Sequence, residues 1–390
     1  MAAGVPLRWR MLLVLFAARA AMALQFQSLA AVSPLLIADL ALEFALFGSL
    51  VGIWMLPGAF ASIPGGALGQ RFGEKRIVVA GLALMVAGTL VIASADGHGD
   101  LLLGRLASGV GAVMLNVLLT KMAADWFAER ELATAMAVLV SSWPLGIGLA
   151  LVLLGPLAVQ TSWPFAINVT AGICAAALVA IAWAYHPPAG IARAEPNSSF
   201  TRLTARESVL VCTAGIVWGL FNVAYILVVS FTPVLLGEAG ISPAGSALLV
   251  SLATWPLLLT VPIGGWLADR TGRGNAIIYL SFLGMGACMA TMLGAGSPLV
   301  MLTLFGIFAG PCAGPIMALP ARALRPQSRS LGMGIYYTWY YAAMALLPPL
   351  AGLLRDVTRV PAAPLLFGAA LLALAAAAVC FFNAYSARRP

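Results

Sequence analysis

The chain has 390 residues, 62% of them apolar and only 9% charged. So few charges cannot dress the water-facing surface of a soluble protein of this length, which excludes a soluble enzyme or nucleic-acid-binding domain and makes lipid the expected solvent. The formal net charge of +8 then reads as membrane topology and contact with anionic headgroups, not as a nucleic-acid partner.

From the N-terminus, apolar stretches long enough to cross about 30 Å of hydrocarbon as helices fall at 10–38, 44–67, 76–95, 101–123, 132–155 and 164–185. Residues 186–207 break the pattern with Pro187, Pro188, Arg193, Glu195, Pro196, Asn197, Arg202 and Glu207. Six further stretches follow at 208–236, 244–267, 276–294, 299–320, 331–353 and 362–384. The expected fold is all-α and integral to the membrane, with twelve transmembrane helices. An N-terminal bundle of six (1–185) and a C-terminal bundle of six (208–390) are joined by a cytoplasmic linker (186–207).

Basic residues are retained on the cytoplasmic side of short connections. Of the 21 here, most, including Arg8, Arg10, Arg71, Lys75, Arg76, Lys121, Arg130, Arg270, Arg273, Arg322, Arg325 and Arg329, share one side with both termini, whereas Arg355 and Arg359 lie opposite. Both termini are therefore expected in the cytoplasm, in a cell inner membrane crossed many times. Ala17, Ala18 and Ala20 offer a weak signal-peptide pattern, but the apolar run continues past Arg19 to about Ala38 and is expected to be retained.

One phrase is written twice, about half a chain apart: Gly66-Ala67-Leu68-Gly69-Gln70-Arg71-Phe72-Gly73-Glu74-Lys75 and Gly265-Trp266-Leu267-Ala268-Asp269-Arg270-Thr271-Gly272-Arg273. Pro57 and Pro256 keep the same separation. Such a repeat marks an internal duplication, so the two bundles should be pseudo-symmetric. The phrase resembles the G-x-x-x-D-R-x-G-x-R/K signature of the major facilitator superfamily, and Arg105-x-x-x-Gly109-x-Gly111 resembles a second signature of that superfamily in the fourth span. The resemblance covers the whole chain. It implies two bundles rocking about a site near the midplane, and solute transport by alternating access. In the loop itself, Gly66 and Gly265 permit tight turns, and an acidic side chain can accept from Arg or from helix N-termini across the bundle. Gly66, Gln70, Arg71, Gly265, Asp269 and Arg270 are thus expected to form a conformational latch, with a plain topological turn as the competing reading. Gln70 keeps an acceptor but loses the charge, so the two copies should not hold alike.

Ionisable residues within spans are the default candidates for cargo binding. Arg19 lies about nine residues into the first span, roughly 13 Å deep at 1.5 Å per residue, and substrate-binding and snorkelling roles are both open to it. The resemblance supports the first role, since anion-carrying branches of the superfamily place an Arg there. Arg105 shares a helical stripe with Gly109, Ala112 and Asn116, and a structural role bonding the first span competes with a binding one. The spans contain no carboxylate; the resemblance implies that this disfavours a drug/proton antiporter, since cation and multidrug carriers of the superfamily commonly need one, and a cavity of net positive potential favours an anion as cargo. In the second half Trp218, Asn222 and Tyr225 share a face of span seven, and span eleven carries Tyr336, Tyr337, Trp339, Tyr340 and Tyr341. These could grip a small planar anion, with Asn222 as a further donor, or be packing residues.

The expected substrate-binding set is therefore Arg19, Arg105, Asn116, Asn222, Tyr225 and Tyr337. No metal site or cofactor is expected: the five cysteines all lie in apolar spans without CxxC spacing, and there are only two histidines. No Ser/His/Asp set or phosphate loop appears, so an enzyme is not expected. In wording, Gln25-Phe26-Gln27-Ser28 and Leu115-Asn116-Val117-Leu118 resemble the cyanate/nitroimidazole-type branch of bacterial facilitators. The leading expectation is a transporter of a small organic or inorganic anion, monomeric and without nucleic-acid partners. Efflux of an apolar or weakly charged compound, and a non-transporting sensor or assembly protein on the same fold, are the alternatives.

Overall fold

Among the described residues, each of the twelve apolar runs forms helix, because lipid leaves the backbone no other partner for its N–H and C=O groups. The structure, a computed structural model, describes residues 6–60, 72–127, 132–188, 203–292, 297–325 and 329–387. The first half comprises α1 (Leu7–Ala31), α2 (Ser33–Asp39), α3 (Phe44–Ile53), α4 (Glu74–Ala93), α5 (His98–Phe127), α6 (Leu132–Gln160) and α7 (Trp163–Ala184). The second comprises α8 (Ala205–Glu238), α9 (Pro243–Ser251), α10 (Leu257–Thr271), α11 (Gly274–Thr291), α12 (Pro298–Ala309), α13 (Ala313–Met317), α14 (Leu319–Ala323), α15 (Arg329–Thr358) and α16 (Ala363–Ala387).

These elements account for twelve spans in two halves of six, as the sequence predicts. Among the described residues, nine spans are long and apolar enough to cross a membrane on their own. The others differ for identifiable reasons. The second span turns at Trp54 and Met55, next to Pro57, and the eighth is broken between Ser251 and Leu257, next to Pro256, so Pro57 and Pro256 stand beside corresponding breaks in the two halves. The eleventh is a single long helix whose tyrosines lower its hydropathy. The last glycines of the repeated phrase also correspond: Gly73 has φ +91° and Gly272 has φ +66°, a left-handed backbone that favours glycine.

Within the first half α1 packs on α6 and α7, and α4 on α5 and α7; within the second, α8 packs on α15 and α16, and α11 on α12 and α16. At the end of the second half that carries the termini, Thr204 and Glu207 form a capping box at the start of α8. The Glu207 carboxylate also accepts from Arg325 N, Nε and Nη2, each at 3.0 Å. These bonds hold the Arg325 guanidinium above its ordinary pKa.

The halves meet along α3 with α15, α6 with α9, and α1 with α8. The α3–α15 seam is close because glycine faces backbone: a Cβ on Gly48 would lie 2.3 Å from Pro348 O, and one on Gly352 only 2.0 Å from Phe44 O. At the end remote from the termini, Asp356 of α15 accepts from Phe44 N at 3.0 Å and Ala45 N at 2.7 Å, so the second half supplies the carboxylate that caps α3 in the first. Beside it the Arg355 guanidinium lies 3.9 Å over the Phe44 ring and pairs with Glu238. Phe47 meets Phe231 edge-on at 5.3 Å.

Asp356→Ala should therefore open this end. Loss of a cap is worth about 0.5–2 kcal/mol, a shift of about 2- to 30-fold in the ratio of closed to open forms. Asp356→Asn, which keeps one acceptor, should shift it less. Distances between spin labels at Leu46 and Val357 measure the change, and an unaltered distribution in Asp356→Ala would remove the cap from the closure.

Candidate functional site

Arg19, half-buried in α1, points into the first half. Its Nη1 donates to Leu139 O of α6 at 3.0 Å, and its Nη2 donates to Asn116 Oδ1 of α5 at 3.2 Å. The Leu139 carbonyl also accepts from Ser142 Oγ. Pro144 lies inside the same helix and leaves Val140 O without its usual N–H donor, so this turn of α6 is rich in available acceptors. The third nitrogen, Nε, is buried and has no hydrogen-bond partner. Among the described residues no carboxylate pairs with Arg19. The ion pairs seen, Lys121 with Glu74 and Asp125, Arg325 with Glu207, and Arg355 with Glu238, lie at the helix ends.

Asn116 also faces the second half, donating Nδ2 to Tyr341 Oη of α15 at 3.1 Å. Tyr341 is 4% exposed and stacks edge-on with Tyr340 at 4.8 Å, which is itself near Trp218 at 6.2 Å. Tyr337 lies 6.4 Å from Tyr341, ring to ring. The structure thus brings Arg19, Asn116 and Tyr337 together, and adds Tyr341 and the Leu139 carbonyl. Tyr341 was visible only as one of a run of aromatics; a backbone carbonyl carries no signal in side-chain identity, though the nearby proline was a pointer.

Other expected site residues lie elsewhere or are already engaged. Arg105 is 1% exposed and enclosed: Nε donates to Leu50 O at 2.8 Å, and Nη1 to Phe26 O at 3.1 Å and Gln25 O at 3.4 Å, with the rings of Phe26 and Trp54 flanking it. It ties three helices of the first half together. Tyr225 is directed into the second half, its hydroxyl bonded to Thr254 Oγ1 at 2.9 Å and its ring stacked on Phe305. Asn222 remains on the Trp218 face, where one of its two amide N–H groups donates to Trp218 O at 2.7 Å.

Of the expected latch, Gly66, Gln70 and Arg71 lie outside the described residues, as does the Asp269 side chain. Gly265 lies in α10 close to Gly314, and Arg270 stacks over Trp266 at 5.2 Å. Among the described residues no group of His, Cys, Asp and Glu could hold a metal.

Twelve spans in two halves, with polar side chains from both meeting around a cation in the interior, define a membrane transporter. Residues 15–239 and 209–390 match the Major Facilitator Superfamily, and the chain belongs to that superfamily. It is similar to the 3-(3-hydroxy-phenyl)propionate transporter of Escherichia coli (strain K12), 28% identical over 296 residues that span 72% of this chain and 70% of that protein. A shorter match, 34% identical over 135 residues, covers 33% of this chain and 29% of the inner membrane transport protein YajR of Escherichia coli (strain K12). In fold it resembles the crystal structure of the nucleoside transporter NupG (D323A mutant), with a TM-score of 0.77 at 12% identity over 97% of this chain and 100% of that one. The chain is a transporter, not an enzyme.

Proposed function

We propose that this protein carries a small organic anion, a carboxylate first of all, by alternating access. It does so as a monomer in a cell inner membrane, with both termini and the 186–207 linker between its halves in the cytoplasm. The observation that carries the reading is Arg19: a cation within a span, without an acidic partner among the described residues and with Nε unpartnered. A buried guanidinium without a counter-ion is costly, and an incoming anion supplies both the missing charge and an acceptor. Of the expected binding set, Asn116 and Tyr337 stand with Arg19, and the repeated segments at the terminal end, Asp269 and Arg270 of α10 included, are the proposed opposing latch. The similarity to a transporter whose name specifies a propionate agrees with carboxylate cargo.

The test is uptake and counterflow in proteoliposomes with 3-(3-hydroxyphenyl)propionate, benzoate and nitrate, against uridine as an uncharged control. Saturable movement of at least one anion and none of uridine is expected. Indifference to all three anions would overturn the reading. The cluster of Trp218, Phe221 and Tyr340 favours, as a second reading, export of an apolar compound.

A further inference from the structure

We propose that Asn116 is the interlock through which a bound carboxylate frees the two halves from one another, an inference that rests on Arg19 as the anion's charge partner. One amide serves both tasks. Its oxygen accepts from Arg19 Nη2 at 3.2 Å, and its nitrogen donates to Tyr341 Oη at 3.1 Å. Arg19 and Asn116 belong to the first half and Tyr341 to the second, so the group that contacts the guanidinium also holds the halves together.

The geometry makes that amide the bond that yields. A carboxylate meets arginine in a planar fork with two parallel bonds along one edge of the guanidinium. Arg19 presents such an edge in Nε, which has no partner, and Nη2, which holds only the neutral oxygen of Asn116. Nη1 stays on the backbone of Leu139, so the side chain keeps its anchor while the edge changes partner. A carboxylate adds the opposite charge and a second parallel bond that the single amide oxygen does not supply, so the carboxylate displaces the amide. Asn116 then loses the contact that orients it toward Tyr341.

Tyr341 is placed to transmit the change. Its ring fills a slot beside Gly58, where a Cβ would come within 2.4 Å of the ring atoms. Along the α3–α15 seam, the contacts run from Asp356 on Phe44, through Gly48 and Gly52, to Tyr341 on Gly58. The Asn116–Tyr341 bond therefore stands at the inner end of the described part of the seam. A ligand shifts such an equilibrium only by binding the two states unequally, and here the carboxylate and the inter-half bond compete for one amide.

The test uses the full chain in proteoliposomes, with its five native cysteines replaced and spin labels at Leu46 and Val357. Tyr341→Phe removes one oxygen and leaves the slot by Gly58 filled. Without cargo it should move the label distances toward the distribution that wild type adopts only with carboxylate, by about 2- to 10-fold in population, the worth of one neutral hydrogen bond. Asn116→Ala should move them in the same direction. The interlock is overturned if Tyr341→Phe or Asn116→Ala leaves the cargo-free distances unchanged. Should wild type bind no anion, the reading of Arg19 fails, and the cargo-free distances of Tyr341→Phe still decide whether this bond holds the halves.

Discussion

Arg19→Gln should abolish saturable anion uptake, by at least about a hundredfold, in a protein that still folds. The expectation follows from what glutamine can and cannot replace. Its amide can donate to Leu139 O or to Asn116 Oδ1, which are the two bonds Arg19 makes to the protein, so the packing of α1 on α5 and α6 has a substitute. It offers no charge and no forked edge. An anion entering the interior would be stripped of water with nothing to compensate it, and the loss of two charge-assisted bonds at about 1.5–3 kcal/mol each gives the predicted scale. Arg19→Lys should fall between, keeping the charge without the planar fork. Initial uptake rates and melting curves on the same preparations separate activity from folding. Anion uptake at the wild-type rate in Arg19→Gln would overturn the assignment, and survival of export of an uncharged compound alone would favour the second reading.

How far the sequence reached depended on whether a residue's role is set by its own span or by the partner it meets. The spans were legible because lipid imposes length and hydrophobicity on each helix separately, and the duplication because one loop is written twice. Gly73 and Gly272 take left-handed backbone in corresponding places. Arg19 was legible for the same reason: an ionisable residue in an apolar run must find partners wherever they lie. Arg105 satisfies that criterion equally, yet what separates the two is which backbone carbonyls lie within reach, and carbonyls of Leu50, Phe26 and Gln25 do not show in a pattern of side chains. Tyr225 and Tyr341 are likewise alike in sequence. One hydroxyl meets Thr254 inside its own half and the other meets Asn116 across the interface, a difference made by tertiary packing. Asp356 was one acidic residue among several at span ends, and only the close approach allowed by Gly352 and Gly48 puts it on the first turn of α3.

Arg105→Met should give little or no folded protein, in contrast to Arg19→Gln. Methionine fills much of the volume of the arginine stem, so the loss isolates the guanidinium. That group, with three carbonyl acceptors from α1 and α3 and two flanking aromatic rings, closes the first half around one point. Leu50 is in the last turn of α3, where carbonyls run short of helical donors, and no water replaces Arg105 at a position 1% exposed. Gly109, one turn along α5, would place a Cβ 2.2 Å from Trp54 O, so the helix rests directly against the same break in the second span and has little room to readjust. Methionine removes three charge-assisted hydrogen bonds and the ring contacts of the guanidinium at one buried point, at about 1.5–3 kcal/mol for each bond to a charged group, which predicts a loss of at least about 3 kcal/mol. Arg105→Lys, with one ammonium in place of a fork, should recover part of the yield but not the melting temperature. Size-exclusion profiles and thermal melts of the two variants beside Arg19→Gln decide the matter. If Arg105→Met folds like wild type and loses only transport, Arg105 binds cargo, and the division of labour between the two arginines drawn from these contacts is wrong.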